Sequence, residues 1–206
     1  MKRVIFYILG LLNFVSVDAQ TPGNVSSNLQ LWLKADAGIT GATPITAWND
    51  QSSNGNNVSV PANGPDLLTN QLNFNPTLDF TSSNSEYLQI TSGIFGASTY
   101  NDLWVYVVSQ SDLDQNNSLL FENMSGSDIF SVIVPWGNEN TYFDWGLTST
   151  GRINGNWGTS HRSYNMWMFG TSTGTLTPNG TRKAISLNGS VILSNANNDN
   201  ATGSNS

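Results

Sequence analysis

Leu31-Trp32-Leu33-Lys34-Ala35-Asp36, followed by Trp48-Asn49-Asp50-Gln51-Ser52-Ser53-Asn54-Gly55-Asn56-Asn57, is the stretch that decides the fold. Leu29, Leu31 and Leu33 alternate with Gln30, Trp32 and Lys34. A period of two puts the leucines on one face, so a strand is expected over residues 29–33. Ile45 to Trp48 reads as a second short strand. The run after Trp48 is dense in Asp, Asn, Ser and Gly, residues that turn the backbone through local hydrogen bonds or positive φ.

The same alternation of short apolar runs and turn residues continues outward. Leu72 to Phe80 alternates on either side of Pro76, which has no N–H for a ladder, so an edge or bulged strand is expected there. Tyr87 to Ile90 reads as a strand, and Ile94 to Tyr100 as a short helical turn. Leu103 to Val108 is apolar on both faces, which predicts a central strand covered on both sides. Ser118 to Phe121 and Asp128 to Trp136 read as strands. In the latter, Phe130, Val132 and Val134 share one face, and Ile129, Ser131 and Ile133 the other. Tyr142 to Leu147 and Arg152 to Trp157 form an expected hairpin around Thr150-Gly151. Asn165 to Thr171 is again apolar on both sides. The sharpest local signal is Asn188-Gly189 between Arg182–Leu187 and Val191–Leu193. Asn-Gly suits a two-residue hairpin turn, because both of its positions take positive φ.

Composition agrees with this pattern. The chain has 206 residues, 19 glycines, no cysteine and a formal net charge of −7. Asn, Ser, Gly and Thr dominate the polar positions, and charged residues make up 10%. That excludes a disulfide-stapled scaffold and disfavours nucleic acid, whose phosphates an acidic surface repels. Lys2 and Arg3, the apolar run Val4 to Val15, and Val17-Asp18-Ala19 together read as a signal peptide over residues 1–19. The apolar run falls short of the roughly 20 residues that span a bilayer. A secreted or cell-surface chain starting at Gln20 is expected, with no membrane span after cleavage and a net charge of −8. An N-terminal anchor that stays attached is the alternative.

The opening strand-and-loop phrase, together with Trp167 followed by Leu187-Asn188-Gly189, resembles a laminin-G-like jelly roll of the concanavalin-A-like lectin and glucanase superfamily. The version it resembles occurs in secreted bacterial surface proteins. The resemblance implies an all-β, two-sheet antiparallel jelly-roll sandwich over residues 20–194. Family members continue with one more strand, which pairs near the first. The polar, flexible tail expected over residues 195–206 contains no such phrase, so the fold is expected to lack its last strand, by truncation or by a shortened end. The resemblance further implies a non-catalytic recognition or adhesion module of a larger surface protein, with a glycan or another surface protein as partner. A spacer without a ligand is the competing reading, and a glycoside hydrolase is the third.

Four groups of residues are candidates for chemistry. Glycosidases of this superfamily carry alternating acids on one strand, so that one carboxyl protonates the leaving oxygen and another attacks. Glu122, Glu139 and Asp144 lack that spacing, and no catalytic residue is assigned. His161, the single histidine, lies in a polar run and is expected to be solvated. Asp50, Asn54 and Asn56 offer oxygens of the kind Ca²⁺ takes, although the same residues also build Asx-turns. Trp136, Tyr142, Trp145 and Trp157 are interleaved with Asn138, Asn140, Asp144, Arg152 and Asn154. Aromatic faces beside amides and carboxylates suit the apolar C–H faces and hydroxyl rims of sugars, so these four aromatics are the candidate carbohydrate-binding residues. Alternation sets Phe143 and Trp145 against Tyr142 and Asp144, which leaves Trp145 equally suited to the core, so Trp136 and Trp157, at strand ends or in loops, are the better candidates. Trp32, Trp48, Trp104 and Trp167 are expected in the core or at its edge.

Overall fold

The computed structural model describes residues 21–91, 93–95, 99–100, 102–112, 117–124, 126–172, 182–195 and 201–202. The expected signal peptide lies outside the described residues, as does most of the tail. The chain begins with a three-stranded antiparallel sheet, β1 (Ile39–Gly41), β2 (Ile45–Trp48) and β3 (Val58–Ser59), followed by a hairpin of β4 (Asp66–Leu72) and β5 (Asn75–Asp79). Next come β6 (Thr99–Tyr100), β7 (Leu103–Ser109), β8 (Ser118–Asn123), β9 (Ile129–Ile133), β10 (Asn140–Gly146) and β11 (Arg152–Asn156). The last strands are β12 (Asn165–Thr171), β13 (Lys183–Leu187), β14 (Ser190–Asn195) and β15 (Ala201–Thr202).

Two four-stranded antiparallel sheets, in the orders β11-β10-β9-β8 and β14-β13-β12-β7, form a sandwich. Alternation decides what each contributes. Phe130, Val132, Phe143, Trp145 and Ile153 point inward from the first sheet, and Trp167, Phe169 and Ile185 from the second. Phe143 and Phe169 meet across the gap with ring centroids 5.8 Å apart. Phe95 closes one end, packing edge-on against Phe130 at 5.4 Å and Trp145 at 5.3 Å. Edge-to-face rings set the positive rim of one against the negative face of the other. Lys183 is fully buried on β13, and its Nζ donates to the carbonyls of Trp145 (2.8 Å) and Gly151 (2.6 Å), tying the two sheets together.

The hairpins lie where turn chemistry puts them. Asn188 and Gly189 take φ of 49° and 84° between β13 and β14. The β10–β11 hairpin runs in unbroken register from Asn140↔Asn156 to Asp144↔Arg152. Pro76 lies in β5, one strand of a two-stranded sheet in which, among the described residues, neither strand has a second partner. The expected strand over residues 72–80 is split, because Asn73 and Phe74 take positive φ and turn the chain.

Several expectations need correction. Residues 29–33 form no strand. Their backbone is bonded to loop side chains instead: the Asn54 amide donates to Leu29 O, the Asn56 amide to Gln30 O, and Trp32 N–H to Asp50. Residues 87–90 make only a bridge, Gln89 with Ser59. Thr99 and Tyr100, read as part of a helical turn, are a strand paired with Ala201 and Thr202, so the tail does contribute a strand. The segment read as central, β7, is an edge of its sheet, with Trp104, Tyr106 and Val108 exposed. His161 is buried in a 3₁₀ turn, not solvated.

Candidate functional site

The outward face of β8–β11 carries the site. Two neighbouring rungs cross the sheet: Asn154, Tyr142, Ile133 and Ser118, then Arg152, Asp144, Ser131 and Phe121. Residues two apart on one strand point to the same side, so the rungs lie about 7 Å apart. All of these residues except Asn154 line a groove of ≈ 400 Å³, together with Ile129 and Trp136.

Trp136 reaches the groove from the β9–β10 turn. Its N–H donates to Asn140 O, and Glu139, at φ 64°, donates back to Trp136 O. The closed turn holds the indole 6.3 Å from the Tyr142 ring at 72° to its plane. Trp136 is 40% exposed and Phe121 57%. The amides of Asn138 and Asn140 donate to Tyr142 Oη at 2.9 and 3.4 Å. These bonds hold the phenol below its usual pKa. Because Oη accepts twice, its own hydrogen remains to donate. The groove therefore offers the rings of Trp136, Tyr142 and Phe121 and a phenolic donor, with the Asn138 and Asn140 amides bonded to that phenol from beside it.

Its floor is ionic. Asp144 is fully buried, and burying a carboxylate is costly unless its lone pairs are taken. Arg152 donates through Nε to Oδ1 (2.5 Å) and through Nη2 to Oδ2 (2.9 Å), and the Ser131 hydroxyl donates to Oδ2 (2.5 Å). The two-pronged pairing offsets the desolvation of Asp144, and it raises the pKa of the guanidinium further. The guanidinium also lies 4.9 Å over the Tyr142 ring, where the negative face attracts a cation.

The structure divides the four aromatic candidates. Trp136 and Tyr142 meet in the groove. Trp145 does not: it is completely buried on the inward face, as the alternation with Tyr142 and Asp144 dictates. Trp157 also lies outside the groove, packed against the core edge over Gly155, where an added Cβ would fall 2.5 Å from the ring. Phe121, Ile129, Ser131 and Ile133 are lining residues missed at the sequence level. The signal for three of them was present, since Ile129, Ser131 and Ile133 share the face opposite Phe130 and Val132.

The loop candidates for Ca²⁺ are occupied differently. Asp50 accepts from Trp32 N and Ser52 N through Oδ1, and from Ser52 Oγ and Asn56 N through Oδ2. Burial acts to raise its pKa, yet these bonds outweigh it and the carboxyl titrates below its usual value. Asn54 and Asn56 turn their amide NH₂ groups to Leu29 and Gln30 carbonyls. The Asp50 lone pairs that a hard cation would need are thus spent on three backbone N–H groups and the Ser52 hydroxyl, as in an Asx-turn. Among the described residues, no three His, Cys, Asp or Glu side chains group closely enough to hold a metal. Glu122 and Asp144 belong to opposite faces of their sheet, so these two do not form a facing pair of carboxyls.

A second depression of ≈ 390 Å³ lies between residues 35–39 and the β4–β5 hairpin, under the exposed Phe74. It lacks the paired aromatics and the buried ion pair of the sheet groove. Comparison of the chain with family models, with curated proteins and with solved structures finds no match in any of the three.

Proposed function

We propose that this chain is a secreted, non-catalytic recognition module that binds carbohydrate along the outward face of β8–β11. The observation that carries the reading is the perpendicular pair Trp136–Tyr142, with Asn138 and Asn140 beside it. A sugar needs an apolar platform for its C–H face and donors and acceptors for its hydroxyls, and the groove has both on a rigid sheet. The leader-like N-terminus and the resemblance to laminin-G-like surface domains support a place at the cell surface. The single groove carboxylate, Asp144, is held by Arg152 and Ser131, which supports binding over acid–base chemistry.

The spacer reading draws its support from Trp145 and Trp157, two of the four aromatics, which serve packing. A glycan array separates the two. Recognition predicts a discrete set of bound glycans, lost in Trp136→Ala and Tyr142→Ala proteins that still melt cooperatively. An empty array for the intact protein rejects recognition and leaves the spacer.

A further inference from the structure

We infer that the groove selects acidic polysaccharide, with Arg152 receiving the carboxylate of a uronic-acid residue; this rests on the recognition reading above. The argument is one of charge balance at the floor. Asp144 and Arg152 are the groove's two charged residues, and they are not equally accessible. The Asp144 side chain is 0% exposed, with both oxygens bonded, whereas that of Arg152 is 36% exposed. A ligand therefore meets the cation and not the anion. Arg152 spends Nε and Nη2 on Asp144, and its Nη1 takes part in neither bond. Its plane is fixed by the two-pronged pairing and by the Tyr142 ring, so the remaining donors are held ready and little rotamer freedom is lost on binding.

The surroundings favour one charge per sugar over a dense array. The chain as a whole carries −7 and so gives no long-range attraction to a polyanion, and the groove holds a single accessible guanidinium, which takes one carboxylate at short range. A uronate ring combines one carboxylate with an apolar C–H face. The carboxylate fits Arg152, while the face fits the rings of Trp136 and Phe121 on the groove walls.

Methyl esterification removes the charge from a uronate and leaves the sugar intact. Binding of oligogalacturonate and oligomannuronate, each against its methyl ester, is measured by calorimetry at about 0.05 M salt. At least one acid form is expected to bind about tenfold more tightly than its ester, as one charge-assisted contact allows. In the double variant Asp144→Asn/Arg152→Gln, which removes both charges together and strands neither, the ratio is expected to fall to about one. Should that variant fail to fold, the intact protein decides: raising salt to about 1 M shortens the screening length to about 3 Å and should erode the acid preference. Equal binding of acid and ester, an acid preference insensitive to salt, or a sulfated galactan bound ahead of every uronate overturns the inference. Equal binding leaves carbohydrate recognition standing; no binding to any of these probes, with an empty array, removes both.

Discussion

Asp50 and Glu122 show how the same chemical group is used in opposite ways. Four donors surround the Asp50 carboxylate and hold its pKa below the usual 3.8. Its contribution to stability is present above that value and is lost as pH falls through the lowered one. Asp50→Asn should cost about 2 kcal/mol in urea unfolding at pH 7, since the amide puts an NH₂ where donors already converge. The variant should also flatten the acid limb of the stability profile. Glu122 lies in β8, where burial pushes its pKa above 4.5 despite bonds from the Ile94 and Phe95 N–H groups. The raised value reverses the sign. The protein is most stable with Glu122 protonated, and that stability is lost as pH rises through the raised value. Glu122→Gln should therefore gain stability relative to the parent as pH rises from 4 to 7. A parallel pair of profiles would show that the carboxyl is not strained by burial.

At the scale of elements, the hairpin turns were the most legible part of the chain. Asn188-Gly189 required two positive φ values, and the strands on either side had no other way to connect. Gly189 has nothing within 4 Å of an added Cβ, so Gly189→Ala isolates the backbone cost. A midpoint shift worth about 1 kcal/mol is expected, with the β-sheet signal unchanged. The elements that misled did so for one physical reason. Apolar alternation reports what side chains bury, not what the backbone bonds to. Leu29 to Leu33 has the alternation of a strand, yet Asn54, Asn56 and Asp50 satisfy its backbone from a loop. Leu103 to Val108 has the apolar content of a central strand, yet among the described residues β7 pairs with β12 alone and leaves Trp104, Tyr106 and Val108 exposed. The groove was half legible on the same terms. Alternation placed Tyr142 opposite Trp145, but which strand would carry Phe121 to the rung of Asp144 depends on pairing 13 to 23 residues away, which no local pattern encodes.

For the whole molecule, the decisive fact is that the groove and the core are two faces of one sheet. Phe143 and Trp145 point into the sandwich from the same strand that sends Tyr142 and Asp144 out. Rigidity of the site is therefore inherited from packing between the sheets. Phe143 is fully buried and touches Phe169 of the opposite sheet, so Phe143→Ala opens a cavity that neither sheet can fill alone. A loss of about 3–5 kcal/mol is expected. Tryptophan emission and far-UV circular dichroism should still report one coincident transition, because the two sheets share the core they lose. Phe74→Ser, at the β4–β5 turn where the ring is 91% exposed, should change stability by less than about 0.5 kcal/mol and so controls for the loss of a large aromatic. Glycan affinity should fall in Phe143→Ala and hold in Phe74→Ser, although neither residue lines the groove. A Phe143→Ala protein that unfolds in two separate steps would show that the sheets are independent. One that unfolds early but binds glycan as tightly as the parent while folded would show that the groove does not depend on the core beneath it.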